Sequence, residues 1–213
     1  MAPSRAKFIT LEGGEGTGKS TQARLLQSAM QQRGLEVVLT REPGGAPGAE
    51  LIRKLLVEGD GARWDAMSEA LLLFAARRVH LRETIVPALN RGDWVICDRF
   101  TDSTFAYQGD AGGLGRTAIE RLASIALDAD SPMPDVTLVL DIPVELGLAR
   151  ATLRGGSENR FESMGMVFHK RLRESYLQIA KRETRRCVVI DAAPAPEHVA
   201  AAIWGIVSSR FGI

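Results

Sequence analysis

The stretch LEGGEGTGKSTQ, Leu11 to Gln22, constrains the fold more than any other, because Gly13 is followed by four residues and then by Gly18-Lys19-Ser20. It leaves a run of strand character, KFITLE, and enters TQARLLQSAMQQ, whose apolar residues recur at helical spacing. A glycine-rich turn between strand and helix lets successive backbone N–H groups converge on one point, to which the helix amino terminus adds its dipole. The spacing therefore predicts a site for nucleotide phosphates. Gly13, Gly14, Glu15, Gly16, Thr17 and Gly18 form the cradle, Lys19 reaches the outer phosphates, Ser20 is a magnesium ligand, and Thr21 enters the helix. Glu15 puts a carboxylate in this loop, so the cation that neutralises the phosphates has to come from elsewhere.

Short apolar runs alternate with longer helical stretches along the chain: KFITLE, EVVLT, WVICD, TLVLDI and CVVIDA are the strand candidates. That alternation predicts a parallel sheet covered by helices, in which glycine-rich loops at strand ends converge on one site. Gly34 caps the first helix and Pro196 opens the last. At 213 residues one domain with an inserted lid fits better than two domains. A net charge of +1 argues against a general nucleic-acid or membrane-surface binder. Cys97 and Cys187 sit in strand runs without metal or redox spacing, so a reduced, cytoplasmic chain is expected. No stretch approaches the roughly 20 apolar residues of a membrane span, which predicts a soluble, unprocessed protein.

Two strand ends carry charge. TREPGG, Thr40 to Gly45, places Arg41 and Glu42 on the side where a substrate would lie, and CDRF ends the third strand with Asp98 and Arg99. A carboxylate leaving a buried strand costs free energy unless it is paired or used, and Asp98 is suited to holding magnesium directly or through water. The alternative for Asp98 and Arg99 is a structural ion pair. His80, His169 and His198 fall in helical stretches without ligand spacing and read as structural or surface residues.

FITLEGGEGTGKSTQ, TREPGG, LLFAARR, DRFTDSTFAYQG and PDVTLVLDI, in this order, resemble the bacterial thymidylate kinase family over nearly the whole chain. The resemblance implies a P-loop three-layer α/β fold of nucleoside monophosphate kinase type, with a five-stranded parallel sheet flanked by helices. It also implies transfer of the γ-phosphate of ATP to dTMP with Mg²⁺, giving dTDP and ADP on the way to dTTP, and a cytoplasmic homodimer using the helix around Leu71 to Phe74. Phe74 matches the aromatic that stacks on thymine, although its apolar helical stripe alone reads as core. Arg78, one turn later, would address the same base. Arg53 and Arg99 match the clamp on the acceptor phosphate, a task for the guanidinium fork. Thr104, Tyr107 and Gln108 match positions that read base and sugar, with Tyr107 crowding a ribose 2′-hydroxyl. Glu12, Arg41, Glu42 and Pro43 complete the dTMP side, with Glu42 also a candidate catalytic residue and the separate roles of Glu12 and Glu42 unassigned. Phe100 and Thr104 stand where family members often have Tyr and Ser, which bears on fine specificity.

The missing cation has a candidate in LARATLRGGSENRF, which carries Arg150, Arg154 and Arg160 around a glycine-containing loop. This is similar to the subclass whose lid supplies the arginine that the phosphate loop lacks. Residues 1–213 are thus expected to form one domain with a mobile lid at about 150–160, Arg154 closing over the ATP phosphates with Arg150 and Arg160 assisting. A kinase for another monophosphate is the near alternative, and an ATP-dependent switch is the distant one; the switch leaves REPGG, Arg53, Arg99 and the lid arginines without a purpose.

Overall fold

The computed structural model describes residues 6–58, 63–154 and 164–213. Five strands form its sheet: β1 (Phe8–Glu12), β2 (Val37–Arg41), β3 (Trp94–Asp98), β4 (Val136–Asp141) and β5 (Cys187–Asp191). All pair in parallel in the order β2-β3-β1-β4-β5, so β1 lies at the centre with its loop opening at the carboxyl end of the sheet. The runs FITLE and VTLVLD are apolar almost throughout because helices cover both faces, which leaves no solvent side for alternating polar residues. Thr10 and Thr137, polar residues inside these runs, are fully buried and hydrogen-bond each other at 2.8 Å across β1 and β4.

The helices are α1 (Lys19–Gln31), α2 (Pro47–Val57), α3 (Ala66–His80), α4 (Val86–Arg91), α5 (Thr101–Thr104), α6 (Arg116–Ala126), α7 (Val144–Arg154), α8 (Met166–Arg182) and α9 (Pro196–Phe211). On one face Leu26 and Met30 of α1 and Val199, Ile203 and Val207 of α9 pack against Ile9, Leu11, Ile96 and Leu138. On the other, Leu81, Ile85 and Phe100 close over Phe8, Val95 and Cys97, while Leu172, Tyr176 and Ile179 of α8 close over Val139. The result is the helix–sheet–helix layering expected from the alternation of the sequence.

Two helices widen into π turns, at Leu81–Ile85 after α3 and at Phe105–Ala111 after α5. The first lies just before Pro87, which has no N–H to continue the helical ladder. The second directs Tyr107 and Gln108 inward with Thr104, all three buried.

Candidate active site

The phosphate loop leaves β1 and wraps the amino terminus of α1. Gly13, Gly16 and Gly18 have positive φ. A Cβ on Gly16 would fall 1.9 Å from the carbonyl oxygen of Gly147 on α7, so only glycine lets the loop lie this close to that helix. Lys19 folds back over the loop, its Nζ donating to the Gly14 carbonyl at 2.7 Å and to Thr17 Oγ1 at 3.3 Å. Burial, together with the nearby Arg99, lowers the Lys19 pKa to about 8. Ser20 Oγ donates to Asp98 Oδ2 at the end of β3.

Arg99 follows Asp98 with a left-handed backbone, φ 69°, which costs a non-glycine residue about 1 kcal/mol. That turn sends its guanidinium back to the loop. Nη1 donates to the Gly13 carbonyl at 2.9 Å and to Tyr176 Oη at 3.2 Å, and Nη2 meets Glu15 Oε1 at 2.9 Å. Tyr107 Oη donates to the same Glu15 oxygen at 2.6 Å, and the Tyr107 ring lies 4.9 Å from the Arg99 guanidinium. The carboxylate that looked misplaced in a phosphate loop is thus a fastening point for Arg99. Beneath them Glu12 is fully buried, accepting from the Phe100 N–H at 2.8 Å and from Ser103 Oγ at 2.6 Å. Burial, reinforced by the charge of Asp102, raises the Glu12 pKa to about 7.

A second cluster lies beyond β2. Glu42 is buried between two partners on α3, accepting from Arg77 Nε at 2.7 Å and from His80 Nδ1 at 3.0 Å. With the proton on Nδ1, Nε2 of His80 can accept from Thr40 Oγ1, 2.7 Å away. Arg77 is 1% exposed, with its guanidinium between the rings of Phe74 and Phe100, 5.1 and 5.2 Å from their centroids. Its Nη2 donates to Thr104 Oγ1 at 3.0 Å. Its Nη1 is buried without a partner among the described residues, and so is Oε1 of Gln108, one helical turn after Thr104. A buried donor and a buried acceptor left open are expensive unless a ligand completes them.

The thymidylate kinase family model matches residues 11–203. The chain belongs to the thymidylate kinase family. It is 49% identical to the thymidylate kinase of Bradyrhizobium sp. (strain ORS 278), over 98% of this chain and 92% of that one. With the thymidylate kinase of Caulobacter vibrioides the identity is 52%, over 97% of this chain and 98% of that protein. A crystal structure of thymidylate kinase from Ehrlichia chaffeensis superposes with a TM-score of 0.74 at 33% identity, covering 95% of this chain and 98% of that chain. The family's reaction is the ATP-dependent phosphorylation of dTMP to dTDP.

Within this thymidylate kinase framework most expected site residues converge, and three do not. Glu12, Glu15, Lys19, Arg99 and Tyr107 form one cluster, and Glu42, Phe74, Thr104 and Gln108 belong to the second. Arg53 Nη1 holds the Pro43 carbonyl at 2.7 Å, which ties α2 to the loop after β2. Arg78 is elsewhere: it is half exposed, its Nη1 donating to the Ala126 carbonyl at 2.7 Å and to Asp128 at 3.2 Å. The arginine inside the pocket is Arg77, which corrects the placement expected from the helical turn. Arg41 lies outside, paired with Glu50 at 3.3 Å. Arg150 donates to the Ala192 and Ala193 carbonyls at 2.8 and 2.7 Å, so it pins α7 to the turn after β5. Arg160 and the side chain of Arg154 lie outside the described residues.

Sequence reasoning missed Arg77, His80, Ser103, Tyr176 and Glu69 as site residues. One signal was available: Glu69, Arg77 and His80 recur on the face of α3 that also carries Ala70 and Phe74, so charged groups occupy the buried side of a helix. Phe74 is 2% exposed among Ala70 and Ile119, the core position that its spacing alone suggested.

Proposed function

We propose that the two clusters divide the family's reaction between them, the loop and Lys19 taking ATP and the pocket around Arg77 and Gln108 taking the base of dTMP. The observation that carries this reading is the open pair of polar atoms. Arg77 Nη1 can only donate and Gln108 Oε1 can only accept. A pyrimidine with a 4-oxo group and an N3–H presents the complementary acceptor and donor. Cytosine, with a 4-amino group and a bare N3, opposes both, and a site with buried polar groups rejects such a mismatch strongly. Tyr107 beside Glu15 would crowd a ribose 2′-hydroxyl, favouring the deoxynucleotide.

In the transfer the acceptor phosphate attacks the γ-phosphate of ATP in line, and the chain supplies position and charge rather than a nucleophile. Backbone N–H groups of Gly13 to Gly18 hold the donor phosphates, and Lys19 swings from the Gly14 carbonyl to the outer phosphate oxygens. Arg99 and Arg53 hold the acceptor phosphate, and Glu42 acts by fixing Arg77. Arg154 closes over the phosphates from the end of α7, with Arg160 assisting and Arg150 anchoring the base of this lid. Ser20 and Asp98 suit Mg²⁺: they are hard oxygen donors already in contact at the mouth of the loop, and Mg²⁺ takes few protein ligands when phosphates supply the rest. A divalent ion held there would neutralise charge on the donor phosphates. A homodimer is supported by Leu51 and Leu55 of α2 and Met67 and Leu71 of α3, exposed apolar residues four apart on neighbouring helices. Among the described residues no helix is long and apolar enough to cross a membrane, and a cytoplasmic setting for the reaction is part of this proposal.

The test is ADP release from MgATP with dTMP, dUMP, ribo-TMP, dCMP, AMP and GMP as separate acceptors. Strong turnover with dTMP and weak turnover with dCMP and ribo-TMP is expected. Equal turnover with dCMP would remove the base reading, and hydrolysis independent of acceptor would point to a switch.

A further inference from the structure

Glu69 lies on α3 two turns before Arg77 and is buried although it carries a carboxyl group. Its Oε2 accepts from Gln108 Nε2 at 2.8 Å. A carboxylate offers only acceptors, so the Gln108 amide can face it with its NH₂ end and not with its carbonyl end. Oε1 of Gln108 is thereby turned away from Glu69, buried and, among the described residues, without a partner. Rotated by 180°, the same amide would present two donors in that place. Arg77 has no such freedom, because Glu42 holds its Nε and Thr104 holds its Nη2. The orientation of one amide therefore decides whether the pocket offers donor plus acceptor or donors alone.

We propose that Glu69 is a positioning residue for base specificity: it locks the Gln108 amide with its carbonyl inward and so excludes cytidine nucleotides. The inference rests on the reading that Arg77 and Gln108 receive the base. With the amide locked, cytosine meets the Gln108 carbonyl with its bare N3, acceptor against acceptor. With the amide free to turn, Gln108 can donate to that N3, and one of the two mismatches disappears. Uracil and thymine share the same edge, so the choice between them is untouched by the turn.

The experiment is steady-state kinetics of the native protein, Glu69→Gln and the double variant Glu69→Gln/Gln108→Glu, each with dTMP, dUMP and dCMP at saturating MgATP. Glutamine at position 69 can accept or donate, so the amide of Gln108 is no longer held one way. The kcat/KM preference for dTMP over dCMP is expected to fall about 10- to 100-fold in Glu69→Gln, the range of one hydrogen-bond mismatch. The dTMP to dUMP ratio and the KM for ATP should stay within about twofold. In the double variant a carboxylate again presents only acceptors to the base, and the preference for dTMP should return. A native protein that already accepts dCMP as well as dTMP would overturn the base reading itself. A native preference that Glu69→Gln preserves, with equal losses for all three acceptors, would overturn the role of Glu69 alone. Should Glu69→Gln not fold, Glu69→Ala, which also frees the amide, decides: a dTMP over dCMP preference lowered at least about tenfold supports the proposal, and a native preference overturns it.

Discussion

On the proposed division of the site, the donor side is one continuous stretch, Gly13 to Thr21, that would bind mostly through backbone N–H. The acceptor side draws Glu42 from the end of β2, Glu69, Arg77 and His80 from α3, and Thr104 and Gln108 from α5 and the π turn after it. Both would hold a ligand through hydrogen bonds, yet the first depends on the absence of side chains and the second on fixing them. A backbone cradle needs glycines at set intervals, and Gly16 against Gly147 shows how little room a Cβ would have. A side-chain pocket needs each group held by another, and Glu42 serves both Arg77 and His80. The contrast teaches where tolerance to change should be found: a small shift of residue identity on the acceptor side reassigns a charge from pocket to surface.

The largest effect is expected on the donor side. Lys19→Ala should lower kcat by about 10³-fold while KM for dTMP stays within about threefold, measured by coupled ADP release. A loss below tenfold would mean that the backbone cradle alone carries the phosphates. On the acceptor side, Arg77→Lys keeps the charge and loses the fork, so kcat/KM for dTMP should fall about 100-fold with KM for ATP nearly constant. Arg78→Ala should change either constant by no more than about threefold, since its partners lie at the surface. Reversed results for the two arginines would invert the comparison.

Two pH effects sharpen it further. Glu12, with its pKa raised by burial to about 7, binds a proton in the folded state that an unfolded chain releases near 4.5. The folded state therefore holds more protons between these values, and its contribution to stability is full below pH 4.5 and is lost as pH rises through 7. Chemical denaturation from pH 5 to pH 7 should show a decline of about 2 kcal/mol that Glu12→Gln removes. Identical pH slopes for the native protein and the variant would place Glu12 outside the linkage. Lys19, lowered by burial to about 8, loses its charge in the free protein above that pH, so the Kd for ATP should rise about eightfold from pH 7.5 to pH 9 with proton uptake on binding. Calorimetry showing constant affinity over this range would contradict the assignment, and dTMP affinity should move less.

The fold was legible because its signals are local. All five strand runs became strands, since a doubly covered parallel sheet leaves unbroken apolar stretches, and the loop announced itself by spacing between a strand and a helix. The proposed acceptor pocket follows the sequence in composition and not in address. Arg77 and Arg78 both lie within a turn of Phe74, and spacing alone does not say which one finds a carboxylate 35 residues away in the chain. The same holds for Glu15, whose partner Arg99 is 84 residues distant. Buried ion pairs are long-range choices, and periodicity carries no record of them.

The most direct test of the account is a crystal structure with dTMP bound. Arg77 Nη1 should lie within hydrogen-bond distance of the base O4 and Gln108 Oε1 within that distance of N3, with Arg78 still on Ala126 and Asp128. A base read by Arg78, or one seated away from Arg77 and Gln108, would contradict it.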